Sequence, residues 1–231
     1  MEVNTQIKQR DAATMPRADD AACAIGALAE EKCGAFGLTA DADAAHQAIA
    51  VDERDWPLQA VAVEDPNGLE DVDIYVHMFG TYGVSSISYW WACMAACLGR
   101  LFVYSLPRGA IIWLLIYADD FNWRAGGKNF AQLLLRGPLF LLIFGLRISW
   151  RKGTGGLAYD WIGFECLLRD FQLGISERRA AWHWAGWRRS ENRAWYSGPN
   201  WPRVSAGCAS YIARSLGTGL SSRRCMRSAQ C

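Results

Sequence analysis

The clearest hydrophobic pattern in this chain lies between residues 111 and 123. An apolar run of strand length, IIWLLIY, and a second short run, FNW, flank the sequence Ala118-Asp119-Asp120. The pattern predicts two strands joined by a tight turn, with two adjacent carboxylates at its tip. Buried carboxylates this close repel one another unless a cation neutralises them, and Mg²⁺ favours such ligands. A solvated Asp-Asp turn is the simpler alternative.

The rest of the pattern predicts alternating strands and helices. Further strands are predicted at residues 36–41, 58–63, 74–78, 148–151, 157–162 and 164–168. Helices are predicted over residues 87–104, capped by Ser85 or Ser86, and over residues 128–145, bent at Pro138. This order predicts an α+β fold in which helices cover one face of an antiparallel sheet.

The two ends of the chain carry weaker patterns. Residues 1–35 are polar and Ala-rich with only weak helical periodicity, which predicts poor order. A Trp-rich helix is predicted to begin at Ser176 and to run to residue 192. Residues 193–231 mix Ser, Gly, Arg, Trp and Cys without period. We expect disorder there, or a tail translated out of its native frame.

Charge is distributed unevenly along the 231 residues, although the net charge is only +1. Residues 1–73 contain 5 Lys or Arg and 16 Asp or Glu, whereas residues 121–231 contain 17 and 5. An acidic first third and a basic second half suit cations and phosphates respectively, or they are two solvated faces that attract one another.

Other compositional features narrow the class of protein. The eight cysteines include no CxxC pair, which makes a zinc site or a secreted disulfide scaffold improbable. Met1 opens onto polar sequence, so no signal peptide is evident and we expect an intracellular protein. Residues 74–99 contain no charged side chain; we interpret them as a buried strand, a loop and a buried helix rather than a membrane span.

Several segments resemble, in order, the palm of a reverse transcriptase, the RNA-directed DNA polymerase of retrotransposons. YADD matches the Y-x-D-D box of that family. LTADADAAHQAIAV resembles its first catalytic block, in which an Asp precedes an Ala by four residues and an aromatic by five. The other similar blocks are FGTYGVSSISYW, LLIFGLRISWRK and the primer-grip segment WIGFE. The resemblance covers about residues 36–185, and WIGFE and LGIS also look like dinoflagellate or other protist retroelement sequences.

The resemblance implies a palm over residues 36–175 and a partial, thumb-like helix over residues 176–192. It assigns catalysis to Asp41, Asp119, Asp120 and Lys152, the three Asp residues holding Mg²⁺ or Mn²⁺. Lys152 would neutralise or protonate the departing pyrophosphate. Nucleotide and template contacts fall on His46, Gly80, Gly83, Ser85 and Tyr117, and the primer grip on Trp161 and Gly163. The implied partners are an RNA or DNA template-primer and a dNTP, with no membrane.

Each of these assignments has a structural alternative. Tyr117 and Trp161 suit a hydrophobic core, Gly80 and Gly83 an ordinary loop, and Lys152 a solvated hairpin. His46 departs from the Tyr or Phe usual in the family, which predicts weaker exclusion of ribonucleotides. Asp43 suits a solvated turn acid.

Two other classes of protein compete with a polymerase. A non-catalytic nucleic-acid-binding fragment would use the basic residues among the Trp rings, which are Arg178, Arg179, Arg188, Arg189 and Arg193. A small membrane protein would be built on residues 74–146. Few residues precede the first catalytic block, so the resemblance also implies a palm without fingers, whose activity alone is doubtful.

Overall fold

The structure is a computed structural model that describes residues 3–9, 11, 13–64, 72–176 and 179–182. Its strands are β1 (Ala35–Asp41), β2 (Ala60–Glu64), β3 (Val72–Val76), β4 (Ile112–Tyr117), β5 (Asp120–Gly126), β6 (Gly155–Gly156), β7 (Ala158–Trp161), β8 (Phe164–Leu167) and β9 (Gln172–Ile175). Its α-helices are α1 (Val3–Gln6), α2 (Ala18–Glu30), α3 (Ser85–Ser105) and α4 (Phe130–Ile143), and 3₁₀ helices span Ala45–Ala48 and Glu53–Gln59. The α+β class predicted from the sequence is confirmed.

A four-stranded antiparallel sheet in the order β4-β5-β1-β6 organises the protein. Strand β5 lies at its centre, and its side chains alternate between the two faces of the sheet. Phe121 and Trp123 point into a core formed with Trp91 and Phe102 of α3 and Leu134 of α4. The predicted hairpin between β4 and β5 is present, with Tyr117 paired to Asp120.

The opposite face of the sheet is also covered, which corrects the prediction of helices on one face alone. Helix α2 and the three-stranded sheet β7-β8-β9 form a second core there, around Ile25, Leu28 and Trp161. Asn122 and Arg124 of β5 face this side and are fully buried. Strand β5 is therefore buried on both faces. The alternation of apolar and polar residues in the sequence does not reveal this property.

Helix α2 corrects the prediction of poor order for residues 1–35. Ala21, Ala24, Ile25 and Leu28 recur at helical spacing and are buried together. The Asp20 carboxylate accepts a hydrogen bond from the backbone N–H of Arg17 (2.6 Å), which satisfies a donor at the start of the helix. Small alanine side chains make a narrow apolar face, and this explains why the periodicity is weak in the sequence.

The β2-β3 hairpin is paired as predicted but is not buried. Ala62 pairs with Ile74, and every residue of β3 is exposed, Ile74 to 70%. The prediction of a buried strand at residues 74–78 is therefore wrong in its burial. The connection between the two strands falls on residues 65–71, outside the described residues.

Helix α3 is the predicted helix of residues 87–104 with slightly wider bounds. Ile87, Trp91, Ala95, Leu98 and Phe102 form its buried face. One of the described helices, α3, is long and apolar enough to cross a membrane by length and composition, and 33% of its apolar window is buried inside the protein.

Three smaller predictions have different outcomes. Residues 148–151 do not form a strand, because only Ile148 makes a bridge, to Ala42, before the chain turns. Helix α4 spans the core of the predicted helix and contains Pro138. Of the Trp-rich helix, residues 179–182 are helical; its remainder and the tail at residues 193–231 lie outside the described residues.

Candidate active site

Three carboxylates meet at the end of the central sheet. Asp41 ends β1 and is paired across the strands with Asp120, which begins β5. Asp119 occupies the turn before β5, and one carboxylate oxygen from each of the three acids lies within 4.8 Å of the others. Asp41 is buried and the other two are half-buried. The cluster that the sequence predicted is therefore present, although its residues are far apart in the chain.

The turn that carries Asp119 is held from three directions. Ala118 has a φ of 51°, and its carbonyl accepts a hydrogen bond from the indole N–H of Trp91 in α3 (2.9 Å). The backbone N–H of Ala118 donates to the sulfur of Met15 (3.4 Å). The N–H of Ala42 donates to the Asp119 carbonyl (2.9 Å), which ties the turn to the end of β1. These contacts fix the direction in which the acids point.

Lys152 is the basic partner of this cluster. Its ammonium lies 2.9 and 3.1 Å from the two carboxylate oxygens of Asp41. Backbone hydrogen bonds from Ser149 to the Asp41 carbonyl (2.9 Å) and from Lys152 to the Ser149 carbonyl (3.0 Å) bring the lysine to this position. The hydrogen bond to Asp41 raises the pKa of Lys152, so the ammonium stays charged at neutral pH.

Asp120 is a member of the cluster whose pKa is raised. Burial, followed by the charges of Asp119 and Asp41, raises the pKa of Asp120 to about 6, and Lys152 opposes this in part. The physical cause is that a half-buried carboxylate beside two others cannot ionise without cost. At neutral pH the cluster therefore holds more negative charge than one ammonium compensates.

The donor set fits a divalent cation. Three carboxylates with oxygens inside 4.8 Å offer only hard oxygen ligands, which Mg²⁺ and Mn²⁺ prefer. Burial and the charges of Asp119 and Asp41 raise the pKa of Asp120, and a cation bound among these acids would oppose that shift. Asp41, Asp119 and Asp120 are therefore the residues that would hold an ion here. Asp43 is exposed and lies outside the cluster, as predicted.

Asp120→Asn is expected to stabilise the metal-free protein at pH 7. The pKa of Asp120 is higher in the folded protein than its value of 3.8 in the unfolded chain. The protonated carboxyl therefore favours folding fully below pH 3.8, and this contribution is lost as the pH rises through about 6. An amide removes the resulting cost, which is about 1 kcal/mol after discounting for half-exposure. We expect the thermal unfolding midpoint to rise by roughly 2–4 °C.

The control for this measurement is Asp160→Asn, which replaces an exposed carboxylate on β7. The gain from Asp120→Asn should shrink at pH 4.5, where the native carboxyl is mostly protonated. A midpoint that falls at pH 7 in EDTA would show that the carboxylate is not under repulsion.

His46 lies in the 3₁₀ helix that follows β1. Its Nε2 is 3.1 Å from the hydroxyl of Ser88 in α3, and its ring packs at 4.4 Å from that of Tyr82. The exposed ring of Tyr82 thus lies directly beside the small side chain of His46. Sequence reasoning gave no role to Tyr82 or Ser88, although both lie in the FGTYGVSSISYW block.

Gly80 and Gly83, in the loop before α3, differ in the space around them. A Cβ on Gly80 would overlap the side chain of Ile87 and the carbonyl of His46, so Gly80 is required by packing within the protein. Gly83 has a φ of 90° and open space around it. Ser85 is the first residue of α3 rather than its cap. The Asn4 side chain caps instead, accepting from Ser85 N–H (3.0 Å) and donating to the Gly83 carbonyl (2.6 Å).

Tyr117 and Trp161 differ in how far they are exposed. Tyr117 ends β4 beside Asp120 and is 40% exposed, so it is accessible next to the acids. Trp161 is 2% exposed in the second core, which is the structural alternative given for it, and its assignment to the primer grip stays a prediction. Ile162 and Gly163 both have positive φ and form the two-residue turn between β7 and β8, where Gly163 is the favoured residue.

Comparison with solved structures gives a distant structural likeness. No protein-family model matches the sequence, and no curated protein matches it either. A solved structure of the foamy viral protease-reverse transcriptase in complex with RNA/DNA hybrid is similar with a TM-score of 0.47 and 14% identity. The match covers 62% of this chain and 17% of that one, so this chain spans a small part of the viral protein.

Proposed function

We propose that this protein is an RNA-directed DNA polymerase of the reverse-transcriptase type, acting on a template-primer and a dNTP. The observation that carries the proposal is the convergence of Asp41, Asp119 and Asp120 within 4.8 Å, with Lys152 at 2.9 Å from Asp41. The YADD box and the ordered set of similar sequence blocks support the same reaction. Acids and a lysine in this arrangement suit phosphoryl transfer, which depends chiefly on positioning and on electrostatic stabilisation.

The chain's own residues have separate parts in this reaction. Asp41 and Asp119 would hold a pair of Mg²⁺ or Mn²⁺ ions, and Asp120 would help to hold one of them. When bound, such ions supply charge neutralisation and a lowered pKa at an attacking hydroxyl. Tyr117 flanks the primer end, and Gly83 leaves space for a base pair to approach the loop. Lys152 is held at the cluster by Asp41.

The nucleotide transfer needs no reactant other than the primer and the dNTP. The primer 3′-oxygen forms a bond to the α-phosphorus of the dNTP, and the bond from that phosphorus to the bridging oxygen breaks. The electron pair leaves with pyrophosphate, and the hydroxyl proton passes to solvent. Lys152, which Asp41 holds beside the cluster, neutralises or protonates the departing pyrophosphate.

Primer extension tests the proposal directly. The full chain is mixed with poly(rA)/oligo(dT), dTTP and either Mg²⁺ or Mn²⁺, and extended products are resolved on a gel. We expect extension that needs the divalent ion and is lost in EDTA. A chain that binds the template-primer but extends nothing with either ion would favour the non-catalytic nucleic-acid-binding alternative.

His46→Phe is expected to improve discrimination against ribonucleotides. In the reverse transcriptases that this chain resembles, an aromatic at this position excludes a 2′-hydroxyl, and His46 is smaller and is turned towards Ser88 by their 3.1 Å contact. A larger apolar ring should raise the ratio of dTTP to rUTP incorporation by roughly tenfold. The ratio of kcat/KM values in the extension assay measures the effect.

His77→Phe is the matched control, since it makes the same replacement at an exposed position outside the loop. An unchanged ratio in His46→Phe, with extension otherwise intact, would exclude His46 from sugar selection.

A further inference from the structure

A continuous row of side chains runs inward from the acidic cluster along one face of the central sheet. Strands β1 and β5 pair in antiparallel register, and residues two apart on a strand share a face. The three pairs on this face are Asp41 with Asp120, Thr39 with Asn122, and Gly37 with Arg124. The acids are therefore the outer pair of a set whose inner members are buried, and Thr39, Asn122 and Arg124 among them are polar. We call the four residues Thr39, Asn122, Arg124 and Tyr159, which contacts the inner pairs, the polar network.

Tyr159 closes this network from the second sheet. Its phenol ring lies over Gly37, where a Cβ would overlap the ring. Its hydroxyl accepts a hydrogen bond from Nε of Arg124 (3.1 Å) and lies 3.2 and 3.3 Å from the two amide atoms of Asn122. One hydroxyl thus joins the sheet β7-β8-β9 to both inner positions of β5.

Arg124 is fully buried, which is costly for a charged group. Its other nitrogens donate to the Ala21 carbonyl of α2 (2.7 Å) and to the Cys166 sulfur of β8 (3.3 Å). Among the residues that the structure describes, these hydrogen-bond partners are all neutral. A hydrophobic side chain would fill the same space with no buried charge, so the arginine suits a role in fixing β5 against α2 and the second sheet.

Thr39, which pairs with Asn122 across the strands, binds the loop that carries the lysine. Its hydroxyl is 3.0 Å from the Thr154 carbonyl and accepts from the Thr154 N–H (2.9 Å), and its own N–H donates to the Thr154 carbonyl (2.7 Å). Thr154 lies two residues after Lys152. The layer directly beneath the acids therefore sets both the β5 strand and the loop that delivers the ammonium to Asp41.

We propose that Tyr159, Arg124, Asn122 and Thr39 are positioning residues that hold the carboxylates and Lys152 at the spacing needed to bind divalent ions. The proposal rests on the function proposed above. The three acids repel one another, and the turn contacts, the ion pair between Lys152 and Asp41 and the pairing of Asp41 with Asp120 oppose their separation at the surface. The polar network fixes their distance from below, in the way that outer groups orient metal ligands.

Tyr159→Phe tests the proposal because it removes one hydroxyl and keeps the ring over Gly37. We expect the dissociation constant for Mn²⁺, measured by electron paramagnetic resonance on the full chain at low temperature, to rise about tenfold. The extension kcat should fall similarly while template-primer affinity stays unchanged. Tyr75→Phe is the matched control, since it removes a hydroxyl from the exposed β3 strand.

A second variant keeps the proposal testable if Tyr159→Phe does not fold. Thr39→Val keeps a β-branched side chain in β1 and removes only the hydroxyl bound to Thr154; it should weaken Mn²⁺ binding in the same direction. Both variants are compared with the native chain by thermal unfolding in EDTA, and affinities are read only well below the midpoint.

The outcomes separate this inference from the proposed function. Weaker Mn²⁺ binding by folded Tyr159→Phe or Thr39→Val supports positioning. Native Mn²⁺ affinity in a folded variant, with only a lower unfolding midpoint, would show a purely structural network and overturn the inference alone. Absence of Mn²⁺ binding by the native chain would overturn the proposed function and this inference together.

Discussion

Asp119→Asn is expected to abolish primer extension and to leave binding of the template-primer unchanged. Asp119 lies in the turn between β4 and β5, with a carboxylate oxygen inside the 4.8 Å cluster. An amide has nearly the same shape but no charge to share between two cations. Metal ions contribute several kcal/mol to such reactions, so kcat should fall by about 10³-fold or more.

Asp43→Asn provides the matched control for that variant. Asp43 follows Asp41 by two residues, is exposed and lies outside the cluster, so its amide should extend primers at nearly the native rate. Filter binding with labelled poly(rA)/oligo(dT) measures affinity for both variants. If Asp119→Asn retained native extension, the acidic cluster would not be the catalytic centre.

Divalent binding is expected to weaken steeply in mild acid. Burial and the neighbouring acids raise the pKa of Asp120 to about 6, so protons compete with the cation for this carboxylate below that pH. The affinity for Mn²⁺ should be level above about pH 7 and fall close to tenfold per pH unit below about pH 6. Isothermal titration at several pH values should also detect proton release near pH 6.

Asp120→Asn separates this titration from general acid effects. Its Mn²⁺ affinity should be weak at every pH and should lack the change near pH 6, because the titrating group is gone. Equal Mn²⁺ affinities of the native chain at pH 7 and pH 5 would contradict the proposed coupling between Asp120 and the cation.

Much of the site could be predicted because its signals are local. The run IIWLLIY and the following Asp119-Asp120 specify a strand and a turn from neighbouring residues alone, and Asp41 follows another apolar strand. The resemblance then indicated which strand ends meet. The structure places Asp41 opposite Asp120 and brings Lys152 to Asp41, while the roles assigned to these residues stay predictions.

What the sequence could not predict depends on contacts between distant segments. Helix α2 uses alanines whose burial becomes clear only when the second sheet covers them. Arg124 resembles a solvated strand residue, and its burial follows from Tyr159 and the Ala21 carbonyl, which no local pattern connects. The resemblance of WIGFE assigned Trp161 to the primer grip, and its burial in the second core depends on segments that no local pattern connects.

The pairing of β1 with β5 also affects when the cluster can exist during folding. Asp41 and Asp120 are 79 positions apart in the chain and become neighbours only through this pairing. Contacts between such distant segments form slowly, because a long loop must close first. No short peptide cut from this chain contains the whole cation site, and a bound ion would stabilise only the completed sheet, by mass action. Added Mn²⁺ should thus protect the native chain against proteolysis in proportion to its occupancy, which turns a simple protease digest into a measure of site assembly.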